Sequence, residues 1–119
     1  MEPEPFVVRF DGELDAGDTS FENDLLAAAS SGARAVVVDM RRVSFVDSAV
    51  VRALVVAHRT LTSTGGWLRV VYTHHLIRRV IDLCGLSELL PQYSSIESAL
   101  RGTVAALPAT ESALQQNRR

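Results

Sequence analysis

Ala35-Val36-Val37-Val38 is apolar at every position, and a strand apolar on both faces is stable only where both faces are covered, as inside a parallel sheet packed under helices. The run is closed by Asp39 and reads as the central strand. Strand and helix patterns alternate around it. FVVRF at residues 6–10 leads into the turn-forming Asp11-Gly12, a strand that ends near Gly12 or runs on through Glu13-Leu14 with a kink. Thr19 with Glu22 three residues later has the form of a capping box, and Phe21, Leu25, Leu26, Ala28 and Ala29 recur at helical spacing before Gly32. A loop is expected over residues 41–46. A second helix then runs from about Ser48 to Thr62, with Val51, Leu54, Val55, His58 and Leu61 on one stripe, until Gly65-Gly66 breaks it.

Residues 67–72, WLRVVY, form a third strand. The helix over about residues 75–83 carries Leu76, Ile77, Val80 and Ile81, places Cys84 on its apolar side and stops at Gly85. A brief strand near residues 89–93 precedes a last helix opened by Ser94 with Glu97 as a second capping box. This order predicts an α/β fold: a mixed, mostly parallel sheet of about four strands with about four helices and right-handed crossovers. From Gly102 the core signal fades. Residues 108–119 have few large apolar side chains, so a loose tail or a marginal extra helix, dispensable for folding, is expected.

Composition removes several kinds of chemistry. All 12 basic residues are arginines, which excludes Walker-type phosphate loops, Schiff-base enzymes and phosphoacceptor sites that need a lysine. One cysteine among 119 residues allows no internal disulfide and no multi-cysteine metal site. His74-His75 and His58 have no acid or cysteine at ligand spacing, so neither metal nor cofactor is expected. No apolar run approaches the roughly 20 residues that cross a bilayer, and MEPEPF has acids where a secretory signal is basic. A cytoplasmic protein without membrane insertion is the expectation. Residues 1–33 hold eight acids against Arg9, whereas residues 34–119 hold six acids against eleven arginines. That imbalance suits the steering of a basic partner to the N-terminal part and falls short of the basic surface of a nucleic-acid binder.

In an open α/β sheet the functional edge lies where strands end and helices begin. Three loops are expected there, at residues 11–18, 39–47 and 72–75. The second ends in Phe45-Val46-Asp47-Ser48, where an aspartate and a serine both suit a helix N-cap, a role that stabilises the helix by ~1 kcal/mol. Alternatively the serine is a phosphorylation site, because a phosphate there meets free N–H groups and changes the local charge by about −2. A catalytic serine would need a histidine base, an orienting third group and the G-x-S-x-G elbow, and this last is absent.

GELD at 12–15, VVVDM at 36–40, FVDS at 45–48, Gly65-Gly66 before WLRVVY, and IRRVIDLCGLSELLPQYSSIESAL at 77–100 together resemble a STAS domain, the module of sulphate transporters and anti-sigma factor antagonists. The resemblance covers about residues 6–101 and leaves 102–119 as a C-terminal extension. It implies a STAS-type α/β sandwich. For stand-alone bacterial members it implies a regulatory binding module, not an enzyme, that works by partner switching. Such a member binds an anti-sigma factor that is also a serine kinase and thereby releases a sigma factor. The kinase phosphorylates the serine after the aspartate, and a serine phosphatase reverses it. Carried over, the phosphoacceptor is Ser48, with Asp47 its neighbour and Asp15 of GELD in the adjoining loop. From the loops expected at the functional edge, the partner surface takes in Asp15, Asp47, Ser48, Ala49, Val50 and Arg52, and Asp39 is expected near the phosphosite. The family usually continues Asp-Ser with Ser or Thr, a glycine, an aliphatic residue and a second glycine. This chain has Ala49-Val50-Val51-Arg52 there, which adds the bulk of Val50 and Arg52 to the first turns. Two other readings share the fold, a cytoplasmic accessory subunit of a transporter and a small-molecule or nucleotide-sensing module.

Overall fold

A computed structural model describes residues 4–105, apart from residues 16 and 18. Among them eight elements alternate: β1 (Phe6–Leu14), α1 (Thr19–Ala29), β2 (Ala35–Val46), α2 (Ser48–Thr62), β3 (Trp67–Val71), α3 (His75–Leu83), β4 (Gln92–Tyr93) and α4 (Ile96–Arg101). The described sheet is parallel throughout, in the order β1-β2-β3-β4, so it has no antiparallel member of the expected mixed kind. Each crossover steps in the same direction, and right-handed crossovers of that kind place all the connecting helices on one face. Accordingly, Phe21 and Leu25 of α1, Val51 and Leu54 of α2, and Ile77 and Ile81 of α3 share a core with Val36, Val38, Leu68 and Val70 of the sheet. The opposite face holds Val37, Val71 and Tyr93, packed with Ala99 of α4. Val36, Val37 and Val38 are all fully buried, as a strand covered on both sides requires.

The loop expected over residues 41–46 is strand. β2 keeps its pairing with β1 to the end, with Leu14 opposite Val46, but at two places β2 spends an extra residue against its partner. Arg9 pairs with Asp39 and Asp11 with Arg42, then Gly12 with Val43 and Glu13 with Phe45. These are β-bulges. They let Met40, Val43 and Val46 all stay buried at a spacing of three instead of two. Gly12 sits between the two irregularities with φ 80, a backbone conformation a side chain resists, which is the kink read in GELD.

The starts of α1 and α4 depart from expectation by single residues. Thr19 is already helical in α1, and the residue before it lies outside the described ones. α4 is capped by Ser95 with Ser98, whose side chains and backbone amides bond reciprocally, one position later than the predicted Ser94 with Glu97. Arg69 ties α4 to the sheet: its guanidinium donates to Ala99 O at 2.8 Å and lies 3.9 Å over the Trp67 ring. Beyond α4, the Ala105 N–H donates to Gln92 O at 2.8 Å. The loose tail expected over residues 108–119 lies outside the described residues.

Candidate functional site

The register of β1 on β2 assembles the site. Leu14 and Val46 are paired neighbours on parallel strands, so the chain continues from two points about 5 Å apart into Asp15 on one side and Asp47-Ser48 on the other. Two segments of GELD and FVDS that are thirty residues apart in sequence are thereby brought together. Asp15 is exposed and accepts the Gly17 N–H at 2.9 Å, which turns the loop back toward α1. Asp47 has an extended backbone and its Oδ1 accepts the Val50 N–H at 3.0 Å, so Asp47 is the N-cap of α2. Ser48 is the first residue of that helix and is exposed.

The remaining expected positions divide by exposure. Ala49 is half-buried and Arg52 is exposed one turn further on. Val50 is only 3% exposed and belongs to the core, so it presents nothing to a partner. The bulk of Val50 is turned inward, whereas the Arg52 side chain reaches the surface. Phe45 is 43% exposed beside Glu13 on β1, an aromatic surface at the edge of the same site.

Asp39 stands elsewhere. The bulged part of β2 carries the chain about 20 Å from Asp39 to Val46, and Asp39 alternates with the inward Val38 and Met40, so it faces away from α2. Its carboxylate accepts two bonds of 2.9 Å from the Arg41 guanidinium, and Arg9 lies 3.4 Å away. The expectation that Asp39 neighbours the phosphosite is therefore corrected: it closes an ion cluster on the opposite face of the sheet. Its side chain is 8% exposed. The Arg41 hydrogen bonds hold its carboxyl below the usual value against the contrary pull of burial. A carboxyl lowered on folding contributes stability that is complete above its unfolded value and is lost as pH falls through the folded one. Asp39→Asn is thus expected to cost about 1–2 kcal/mol near neutral pH. In thermal melts the gap to wild type should be constant above about pH 5 and narrow below about pH 4.

The third expected loop also lies away from Ser48. β3 ends at Val71, opposite Asp39, so residues 72–75 leave the sheet well before β2 reaches its end. His74 Nδ1 accepts the Leu76 N–H at 3.2 Å and caps α3, with the His75 ring stacked on it at 5.0 Å. Among the described residues no group of three His, Cys, Asp or Glu side chains is placed to hold a metal ion, and no helix is long and apolar enough to cross a membrane. Cys84, expected on the apolar side of its helix, is exposed at the C-cap of α3. It lines a shallow crevice with Ser48, Val51, Arg52, Val55 and Leu86. Gly85 signals the helix end that leaves this thiol outside, but nothing in the sequence places it against α2.

Fold and site together define a small α/β domain that presents an exposed hydroxyl at the start of its second helix beside two acidic side chains. It belongs to the STAS domain family, which residues 2–99 match. The chain is similar to the anti-sigma-F factor antagonist RsfA of Mycobacterium tuberculosis, with 28% identity over 100 residues, 82% of this chain and 78% of RsfA. Among solved structures it is similar to an anti-sigma factor antagonist from Mycobacterium paratuberculosis, at 28% identity and a TM-score of 0.73 over 82% of this chain and 83% of the other. It shares its fold with the unphosphorylated form of the anti-sigma factor antagonist SpoIIAA, at 24% identity and a TM-score of 0.68 over 86% and 92% of the two chains. SpoIIAA, a Bacillus cell fate determinant, is also known in a phosphorylated form.

Proposed function

We propose that this chain is a cytoplasmic anti-sigma factor antagonist in a phosphorylation-controlled partner switch. Unphosphorylated, it binds an anti-sigma factor that is also a serine kinase and so frees a sigma factor. With Ser48 phosphorylated it releases that partner, and a serine phosphatase restores the binding form. In the transfer the bond from Ser48 Oγ to the γ-phosphorus of ATP forms as the bond to the bridging oxygen breaks. ADP leaves, and the hydroxyl proton passes to a base of the kinase.

The observation that carries this reading is the division of labour at the start of α2. A serine at a helix start ordinarily caps it, but here Asp47 does so, and the Ser48 hydroxyl makes no hydrogen bond to any described residue. It is exposed and the fold does not use it. Nor is it placed as a nucleophile, since His58 lies ten residues on along α2, about 15 Å away. The site offers a partner a polar edge made by Asp15, Asp47 and Ser48, the aromatic Phe45 and the cation of Arg52. The likeness to RsfA and to a second anti-sigma factor antagonist supports the partner class, and the two forms of SpoIIAA support the modification.

Co-expression with each candidate serine kinase of the anti-sigma type, followed by phosphopeptide mapping, is expected to find phosphate on Ser48 and none on the Ser48→Ala protein. Phosphate on a different residue, or none with any of the kinases, overturns the reading.

A further inference from the structure

Arg52 follows Ser48 by four residues in α2, one helical turn on, so the two side chains rise on the same face. They line one crevice together. Arg52 also borders the groove between α1 and α2, where Glu22, Leu26 and Val56 lie. Among the described residues it makes no hydrogen bond and no ion pair. It is an exposed, uncommitted cation one turn from the hydroxyl proposed to be modified.

We propose that phosphorylation of Ser48 is read within the chain itself: the phosphoserine captures the Arg52 guanidinium as an i, i+4 pair and withdraws that cation from the docking surface. This rests on the assignment of Ser48 as the phosphoacceptor. An acid placed four residues before a base is the favoured order on a helix. A phosphate brings about two charges and three acceptor oxygens, and the planar guanidinium fork meets two of those oxygens at once. The competitors are weak. Asp47 is engaged with the Val50 amide, and Glu22, across the groove, carries one charge and forms no ion pair with Arg52. The Ser48 and Ala49 amides have no acceptor among the described residues, so the helix end itself favours the phosphate.

The consequence is a change of sign instead of a simple addition. Before modification the surface shows Arg52 as a free positive charge, which a partner can meet with a carboxylate. Afterwards that charge is paired and the excess on the phosphate is negative, so the same carboxylate is repelled. The response therefore depends on Arg52, which supplies the cation four residues after Ser48.

The test installs phosphoserine at position 48 of the full chain by amber suppression, which needs no kinase, in the wild-type and Arg52→Gln backgrounds. Thermal melts and phosphorus NMR titrations are recorded for each with its unmodified control. The modification is expected to raise Tm by about 3 °C in the wild-type background at low salt. High salt or Arg52→Gln should remove at least half of that gain, and Arg52→Lys should keep part of it. The phosphate should also ionise fully at lower pH with Arg52 present than with Gln. Equal Tm changes and equal phosphate titrations in the two backgrounds overturn the pair, whether or not a kinase uses Ser48. A phosphopeptide map without Ser48 would overturn the functional assignment instead.

Discussion

Ser48→Glu is expected to weaken binding to the anti-sigma factor kinase by roughly a hundredfold while Ser48→Ala binds as the wild type does. A partner that fits the unmodified edge meets Asp15, Asp47 and a neutral hydroxyl. A new carboxylate at the centre of that edge is both larger and of the same sign as its neighbours. Like charges brought together in an interface cost several kcal/mol, and about 2.7 kcal/mol is a hundredfold in affinity. The alanine loses a hydroxyl that bonds to no described residue, so little changes. Stability should separate from binding. An acid in the first turn gains ~0.3–1 kcal/mol from the helix dipole, which offsets its repulsion by Asp47, and Arg52 four residues on adds a favourable partner. Calorimetric titration beside thermal melts checks both halves. A Glu variant that binds normally, or that loses affinity only because it unfolds, would contradict the expectation.

The second large effect is on folding. Gly66→Ala is expected to destabilise the protein by about 3 kcal/mol and to lower Tm by about 10 °C or more. The Gly66 N–H donates to Leu61 O at 2.8 Å, and the Trp67 N–H donates to Arg34 O at 2.7 Å. A Cβ on Gly66 would press into the Arg34 carbonyl, its oxygen and carbon both. That neighbour is backbone and cannot rotate away. The contact also lies where the register of β2 on β3 begins, with Ala35 opposite Trp67. Relief would have to move the start of the strand whose far end leads into Asp47 and Ser48. Circular dichroism melts decide this, and a shift of only a degree or two would mean that the β2–β3 junction yields more easily than its geometry suggests.

What could be read from the sequence follows from which physical signals are local. Strong periodicity placed α2 at its observed limits, because Val51, Leu54, Val55 and Leu61 are spaced for one buried face. The apolar run of β2 identified the central strand for the same reason. The second half of β2 was hidden. Its two bulges move the buried residues to positions 40, 43 and 46, so the alternation that marks a strand disappears although the pairing continues. Read as a loop, that half brings Asp39 close to Ser48. The bulges depend on how β1 and β2 pair, which is a long-range property. Val50 illustrates the converse limit. Next to a surface motif it reads as added bulk, but the 3.6-residue turn carries it under the helix and into the core. The N-cap remained open between Asp47 and Ser48 because both side chains can accept the same amide. Only the Asp47 to Val50 bond decides it, and that decision is what leaves the serine available.

Binding of one preparation to the anti-sigma factor kinase, measured by calorimetry before and after stoichiometric phosphorylation at Ser48, isolates the phosphate from every mutation. The switch predicts tight binding by the unmodified chain and an affinity lower by at least about a hundredfold once Ser48 is phosphorylated, recovered in full after phosphatase treatment. Equal affinities of the two forms would contradict it.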